Sequence, residues 1–140
     1  MIAAGVGCKR GTSAREIEAA IRAALARANI AADALDVIAT IEAKSAEAGI
    51  QAAAEKFGVA MIVVSETELK AASDRTATRS ERSVALAGVP SAAEAAALAA
   101  AGPASSLIAV RLVVGTATCA LAASVLPPEV SPADLAGGLP

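Results

Sequence analysis

Three short apolar runs, each followed by a helical pattern, are the feature that most limits the folds open to this chain. The runs extend over residues 2–7, 35–41 and 59–64 and are rich in isoleucine, valine and alanine. A strand followed by a helix, three times in series, predicts a largely parallel sheet with right-handed crossovers. We therefore expect an α/β fold.

A Ser-x-x-Glu spacing recurs where helices are predicted to start. Ser13, Ser65 and Ser91 are each followed three residues later by a glutamate. In a capping box the serine hydroxyl accepts a hydrogen bond from the backbone amide of that glutamate, and the glutamate carboxylate accepts one from the backbone amide of the serine. A helix after the second run is predicted to end at Gly58, and the alanine-rich last helix at Gly102.

After the last helix the sequence predicts a hairpin and a tail. Residues 107–113 and 117–123 are apolar and separated by three residues, a spacing that permits two antiparallel strands. The sheet is therefore expected to be mixed but mostly parallel, with about five strands. Residues 124–140 contain four prolines and two glycines without periodicity. We expect a folded domain over 1–123 and a disordered tail over 124–140.

The segment 70–83 lacks an apolar pattern. It holds four basic residues against two acidic ones, a surplus of two positive charges. We expect a long cationic loop that becomes ordered over an anionic ligand.

The composition excludes several classes of function. The chain has no histidine, which excludes Ser-His-Asp and Cys-His catalysis and histidine metal sites. Phe57 is the one aromatic residue, and 12 basic residues stand against 14 acidic ones, a net charge of −2. Nucleic acid is not an expected partner, because it is bound through stacking surfaces and positive charge.

Cysteine usage and hydropathy indicate the compartment. Cys8 and Cys119 form no CxxC pair, and no apolar signal peptide is present. The stretch 107–126 approaches the length of a membrane span, but Arg111 and the central glycine and threonines suit two strands better. We expect a cytoplasmic protein with no metal, no cofactor and no membrane partner.

The loop after the first strand, GVGCKRGTS, is the main candidate site. It lies at the carboxyl edge of a parallel sheet, where ligands collect near helix N-termini. Glycines permit a close backbone approach and the basic residues favour an anion. The alternative of a solvated glycine turn stays open, because the spacing matches neither the dinucleotide fingerprint nor the P-loop. The candidate binding residues are Gly7, Cys8, Lys9, Arg10, Gly11, Thr12 and Ser13.

A second polar cluster follows the second strand and holds Thr40, Glu42, Lys44 and Glu47. A carboxylate beside an ammonium can act as an acid and base pair when both are partly desolvated. An ordinary solvated turn, with Glu47 near the N-terminus of the next helix, is the alternative.

Cys8 is weighed both as a nucleophile and as a packing residue. Lys9 and Arg10 favour its thiolate, but the chain offers no histidine as a base. A small packing residue is therefore the favoured interpretation. Cys119, within an apolar run, is expected in the core.

Six segments, in order along the chain, resemble one protein family. Together they span most of residues 2–123 and look like the CobE family of cobalamin biosynthesis and the C-terminal domain of the CbiG proteins. Thr118, in the last segment, joins the candidate binding residues. The segments are GVGCKRGTS, ATIEAKSAEAGI, AEKFGV, SETEL, GVPSAAEAAALAAAG and GTATCALA.

The resemblance implies a three-layer α/β/α domain that binds or processes a precorrin-type tetrapyrrole. In the anaerobic route the full-length CbiG-type protein opens the lactone of cobalt-precorrin-5A and releases acetaldehyde. That protein has additional N-terminal regions that this sequence does not contain, so we do not carry hydrolase activity over. The family often shows two lysines near the end of the penultimate strand; in this sequence Arg111 is expected to replace one of them, and Val113 leaves the other position neutral, without its anion contact.

Charge links this resemblance to the candidate loops. Precorrins carry many acetate and propionate groups, and we expect Lys9, Arg10 and Lys44 to hold them. The expected partners are a precorrin or other corrin-pathway intermediate and other cobalamin-biosynthesis enzymes. Two alternatives stay open: an enzyme that opens the precorrin-5A lactone with release of acetaldehyde, and an unrelated small anion-binding α/β domain.

Overall fold

A computed structural model of the chain describes residues 1–124 and shows one five-stranded sheet in the order β3-β2-β1-β5-β4. The predicted tail, apart from Ser124, lies outside the described residues. The strands are β1 (Ile2–Cys8), β2 (Val37–Ile41), β3 (Ala60–Val64), β4 (Ser105–Val114) and β5 (Ala117–Ser124).

The sheet confirms the α/β prediction and differs from it in one detail. Strands β1, β2 and β3 pair in parallel, and β5 pairs antiparallel with both β1 and β4. Two parallel and two antiparallel pairings make the sheet mixed rather than mostly parallel. The reason is that the hairpin inserts β5 beside β1 and so adds two antiparallel pairs.

Helices cover both faces of the sheet, which gives the three layers. Two of them lie on one face over a core that mixes isoleucine and leucine with alanine, and two lie on the other over a core that is mostly alanine. A Cβ atom on Gly5 of β1 would overlap the carbonyl oxygen of Ala93, so that glycine lets a helix approach the sheet closely. The first pair is α1 (Ala14–Arg27) and α2 (Ala48–Phe57), and the second is α3 (Glu66–Ala72) and α5 (Ala92–Ala101).

The segment 70–83 is not the long loop expected from its composition. Its first residues complete α3, a 3-10 turn follows at Ser73–Arg75, and the short helix α4 (Glu81–Ala87) begins inside it. Helix α4 has no buried residue, so it has no apolar stripe that sequence periodicity can reveal. It is held at its N-terminal end, where Ser80 N donates to Pro90 O at 2.7 Å and Ala92 N donates to Ser83 Oγ at 3.1 Å.

The serine caps predicted at α1, α3 and α5 are all present. Ser13, Ser65 and Ser91 each accept a hydrogen bond from the amide of the glutamate three residues later. The complete capping box, with the carboxylate returning to the serine amide, forms only at Ser65. Helix α2 ends at Gly58, whose φ of 70° suits a glycine.

Neither a membrane span nor a metal cluster is found within residues 1–124. No single helix there is long and apolar enough to cross a membrane, although α4 and α5 together, bent by 61°, meet that test by length and composition. No group of three or more Cys, Asp or Glu side chains in the same range is placed to hold a metal ion.

Candidate anion-binding cleft

A cleft of about 200 Å³ opens at the carboxyl ends of β1 and β2. Its floor is formed by the end of β1, by Ile41 and by the turn between β4 and β5, its wall by the first residues of α5, and its cover by α4. This is the edge at which parallel strands, their loops and helix N-termini converge.

The charged side chains that line the cleft are all cationic. They are Lys9 after β1, Lys44 after β2, Arg82 on α4 and Arg111 on β4, and no carboxylate within the described chain lines the same space. The four come from four different elements, so their proximity is a product of the tertiary fold. The cleft is suited to an anion with several negative groups.

Lys44 is the most buried of these cations. Strand β2 ends at Ile41, and a 3-10 turn over Glu42–Lys44 immediately bends the chain so that Lys44 is 8% exposed. It forms no ion pair with any acidic residue among positions 1–124. The Lys44 ammonium therefore has no protein partner within that range that competes with an anion in the cleft.

Arg111 presents a second unsatisfied group. Its Nε atom is buried and has no hydrogen-bond partner among the described residues. Buried donors in native proteins are nearly always paired. The Arg111 guanidinium therefore lines the cleft with no protein acceptor at Nε, within residues 1–124, to compete for its hydrogen bonds with a ligand oxygen.

Cys8 lines the cleft as a protonated thiol. Burial raises its pKa above the ordinary value, and the nearby Glu47 raises that pKa further. The positive charges of Lys44 and Arg82 and a hydrogen bond with Thr12 lower it, but they offset the increase only in part. The thiol is therefore a weak nucleophile at neutral pH. Cys119 is fully buried, as the sequence predicts, and burial raises its pKa as well.

The β1–α1 loop is fixed by bonds to its neighbours. Lys9 N donates to Thr116 O at 3.0 Å, and the Thr12 hydroxyl lies 2.8 Å from that of Thr116. On the other side, Gly11 N donates to Glu47 Oε1 at 3.0 Å, and Gly11 has a φ of +77° that favours glycine. The loop thus presents Lys9 from a constrained backbone.

The residues predicted from the sequence fall into two groups. Those that line the cleft are Gly7, Cys8, Lys9, Lys44 and Thr118. The others lie outside its lining: Thr40 is fully buried and donates to Val6 O, Glu42 is exposed, and Arg10 is exposed. Gly11, Thr12, Ser13 and Glu47 hold the loop and the helix start.

The sequence predicted that the cationic segment 70–83 covers an anionic ligand, but not that helix α4 begins there, and the candidate binding residues did not include those from α4 and β4. Arg82, Ser83 and Leu86 line the cleft from α4, and Arg111 lines it from β4. A signal for α4 was present in the Ser80 cap and in the Gly88 stop, since Ser80 accepts from Ser83 N and Gly88 has a φ of 72°. No local signal predicts the direction of Arg111.

These features define a small α/β domain with a cleft whose charged lining residues are cationic, and comparison with known proteins gives its family. The sequence matches the family described as Cobalamin synthesis G C-terminus over residues 2–122. The protein CobE of a Sinorhizobium species is 39% identical over 118 residues, which cover 84% of this chain and 77% of that protein. A cobalt-precorrin-5A hydrolase of Priestia megaterium is 38% identical over 73 residues, covering 52% of this chain and 20% of the hydrolase.

Solved structures agree with these sequence matches. The crystal structure of CobE, a protein from the cobalamin (vitamin B12) biosynthetic pathway, superposes with a TM-score of 0.82 at 29% identity, covering 87% of this chain and 89% of that one. The cobalamin biosynthesis protein chiG from Agrobacterium tumefaciens gives a TM-score of 0.72 at 39% identity, with 90% and 100% covered. The chain belongs to the Cobalamin synthesis G C-terminus family of cobalamin-biosynthesis proteins, which confirms the resemblance to CobE and CbiG.

Proposed function

We propose that this chain binds a precorrin-type intermediate of cobalamin biosynthesis in the cleft, where cationic side chains hold the carboxylates of the tetrapyrrole. The proposal depends on one observation: four cations and, in residues 1–124, no carboxylate line this space, in a protein whose net charge is −2. Hydrogen bonds to charged groups contribute about 1.5–3 kcal/mol each. Such a cleft favours polycarboxylates over neutral ligands.

The unsatisfied groups support the same assignment. Lys44 is nine-tenths buried, and Arg111 Nε is buried without a partner in the described part of the chain. Neither cationic group has a protein partner in that range, and carboxylate oxygens of a ligand can supply one. The proposal therefore keeps Lys9 and Lys44 from the sequence prediction and adds Arg82 and Arg111.

The proposal is tested by co-expressing the protein with the enzymes of the earlier pathway steps and measuring the pigment that co-purifies. Lys44→Met removes the ammonium but keeps most of the side-chain length, and is expected to weaken pigment binding at least about tenfold. Lys56→Met is the matched control, because Lys56 is exposed on α2 and paired with Glu18. If folded Lys44→Met retained pigment as well as Lys56→Met, the site would lie outside the cleft.

Lactone opening with release of acetaldehyde is the second candidate function. It is favoured by the match to the Priestia hydrolase, of which this chain spans about one fifth. No carboxylate among the described residues lines the cleft to act as a base, the chain has no histidine, and the pKa of Cys8 is raised. An acetaldehyde assay with cobalt-precorrin-5A separates the two functions, and we expect no release above background.

The proposal includes a cytoplasmic location and contact with other enzymes of the pathway. Both cysteines are free thiols, as is usual in a reducing compartment. Affinity purification of the tagged protein together with candidate pathway enzymes tests the second part. If none of these enzymes were retained with the tagged protein, the proposed contact with them would be rejected.

A further inference from the structure

Strand β4 departs from regular pairing beside the cleft. Between Ala109 and Leu112 its register against β5 shifts, with one residue more on β4 than on β5. Residues two apart on a regular strand share a face, yet Ala109 packs in the core under α1 while Arg111 lines the cleft beside α5. This β-bulge therefore places Arg111 on the cleft side, as bulges near functional sites commonly redirect a side chain.

A buried carboxylate accepts a hydrogen bond from the backbone amide that the bulge leaves unpaired with β5. Arg111 has no paired residue on β5 in the register, and its N–H donates to Glu94 Oε2 at 2.9 Å. Glu94 is 0% exposed and lies in the first turn of α5. A buried amide without an acceptor would be costly, so this bond stabilises the bulged conformation.

The remaining acceptor capacity of Glu94 is filled from the segment before α4. Ala77 N and Thr78 N donate to Oε1 at 2.7 and 2.9 Å, and the Thr78 hydroxyl donates to Oε2 at 2.9 Å. Burial alone raises the pKa of Glu94, but the bonds from Arg111, Thr78 and Ala77 hold it below the ordinary value. The group is a carboxylate at neutral pH, with no proton of its own to donate.

We propose that Glu94 is a positioning residue, which fixes the β4 bulge through the Arg111 amide and so presents the Arg111 guanidinium to the carboxylates of a bound ligand. This inference rests on the proposed function. Glu94 does not line the cleft, so it acts on the ligand through the groups that it binds, and the Arg111 amide is the one that lies next to a cleft side chain. Simple electrostatics predicts the opposite sign, since removal of a negative charge near an anion site strengthens the attraction.

The test uses uroporphyrin, a tetrapyrrole with an acetate and a propionate on each pyrrole ring, titrated by fluorescence. Arg111→Gln and Glu94→Gln are each expected to weaken binding about tenfold. The double variant is expected to bind no more weakly than either single variant, because both changes remove one interaction. Thr78→Val is the matched control: it removes a different donor to Glu94 and is expected to stay within about twofold of the wild type.

Glu94→Asp keeps the charge but shortens the side chain, and serves as the second variant if Glu94→Gln does not fold. It is expected to weaken binding as Glu94→Gln does. Equal or tighter binding in a folded Glu94 variant, additive losses in the double variant, or no effect of Arg111→Gln would each overturn the positioning role. The Lys44 test of the proposed function is independent of these results.

A readout without ligand separates this inference from the proposed function. The backbone amide resonance of Arg111, the group that donates to Glu94 Oε2, is expected in NMR spectra to be protected from exchange in the wild type and in Thr78→Val, and to lose that protection in Glu94→Gln and Glu94→Asp. If uroporphyrin did not bind the wild type, cleft binding of this ligand class would fail, and the resonance would still decide the role of Glu94. Unchanged protection in both Glu94 variants would overturn it.

Discussion

Helices α3 and α5 begin with the same Ser-x-x-Glu spacing, yet the glutamate serves a different purpose in each. At α3, Glu68 returns to its own cap and accepts Ser65 N at 3.2 Å, all at the surface. At α5, Glu94 turns away from Ser91 and binds a distant loop and strand. The spacing therefore predicts the serine cap, whereas tertiary donors within reach decide where the carboxylate goes.

Helix α1 lies between these two cases. Its Ser13 caps the helix, but the Glu16 carboxylate accepts the amide and the hydroxyl of Thr116, each at 2.7 Å. Thr116 is in the turn between β4 and β5, so this bond fastens the hairpin to the first helix. Glu16 is half-buried whereas Glu94 is fully buried. The three glutamates form a series from local cap to buried tertiary link.

The largest expected effect is at the buried end of that series. Glu94→Gln keeps the shape of the side chain but replaces one acceptor oxygen with an NH2 group, which cannot accept the hydrogen bonds that the neighbouring N–H and O–H groups donate there. We expect a loss of about 2–4 kcal/mol in the free energy of unfolding, because several bonds to a buried charge are broken. Urea denaturation against Glu68→Gln, the same change at the surface, measures it. Equal losses at both sites would contradict the series.

The pH dependence of stability gives a second effect at the same site. The folded state holds the pKa of Glu94 below the ordinary value of 4.5. The contribution of this carboxylate to the free energy of unfolding is therefore complete above that value and is lost as the pH falls through the folded pKa. Wild-type stability should therefore fall more steeply on acidification than that of Glu94→Gln. Denaturation curves from neutral pH downward measure this, and identical slopes would exclude Glu94 as the source.

Local patterns explain which parts of the fold were predictable. The three strand-helix units, the hairpin and the serine caps follow from periodicity and spacing within a few residues. Helix α4 was missed because it buries no residue. The resemblance pointed to Arg111 at a lysine position of the family, but its direction into the cleft depends on a bulge, bonded to Glu94, that the sequence does not reveal.

The candidate site was predictable to a similar extent. The loop after β1 and Lys44 were identified because they follow strand ends at one sheet edge. Neither the burial of Lys44 nor the use of Glu47 to hold the loop is visible in the sequence. Both depend on contacts between residues far apart in the chain, which a single sequence does not contain.

The middle of the series gives an intermediate effect. Glu16→Gln is expected to lower the free energy of unfolding by less than Glu94→Gln and by more than Glu68→Gln, because its carboxylate makes tertiary bonds but is partly solvated. Hydrogen bonds with Thr116 lower the pKa of Glu16, so the difference from wild type should shrink at acidic pH. Hydrogen exchange at the Thr116 amide should accelerate in this variant, and unchanged exchange would remove the proposed tether.

The smallest expected effect is at α3. Glutamine is also found at the third position of capping boxes, so Glu68→Gln keeps an oxygen for the Ser65 amide and loses only a favourable charge near the helix N-terminus. That charge is worth about 0.5 kcal/mol at an exposed site, and salt should reduce the difference further because the group is solvated. Urea denaturation at low and high ionic strength measures both. A loss as large as that of Glu94→Gln would mean that the exposed carboxylate also stabilises distant structure, and the distinction between a local cap and a tertiary link would no longer hold.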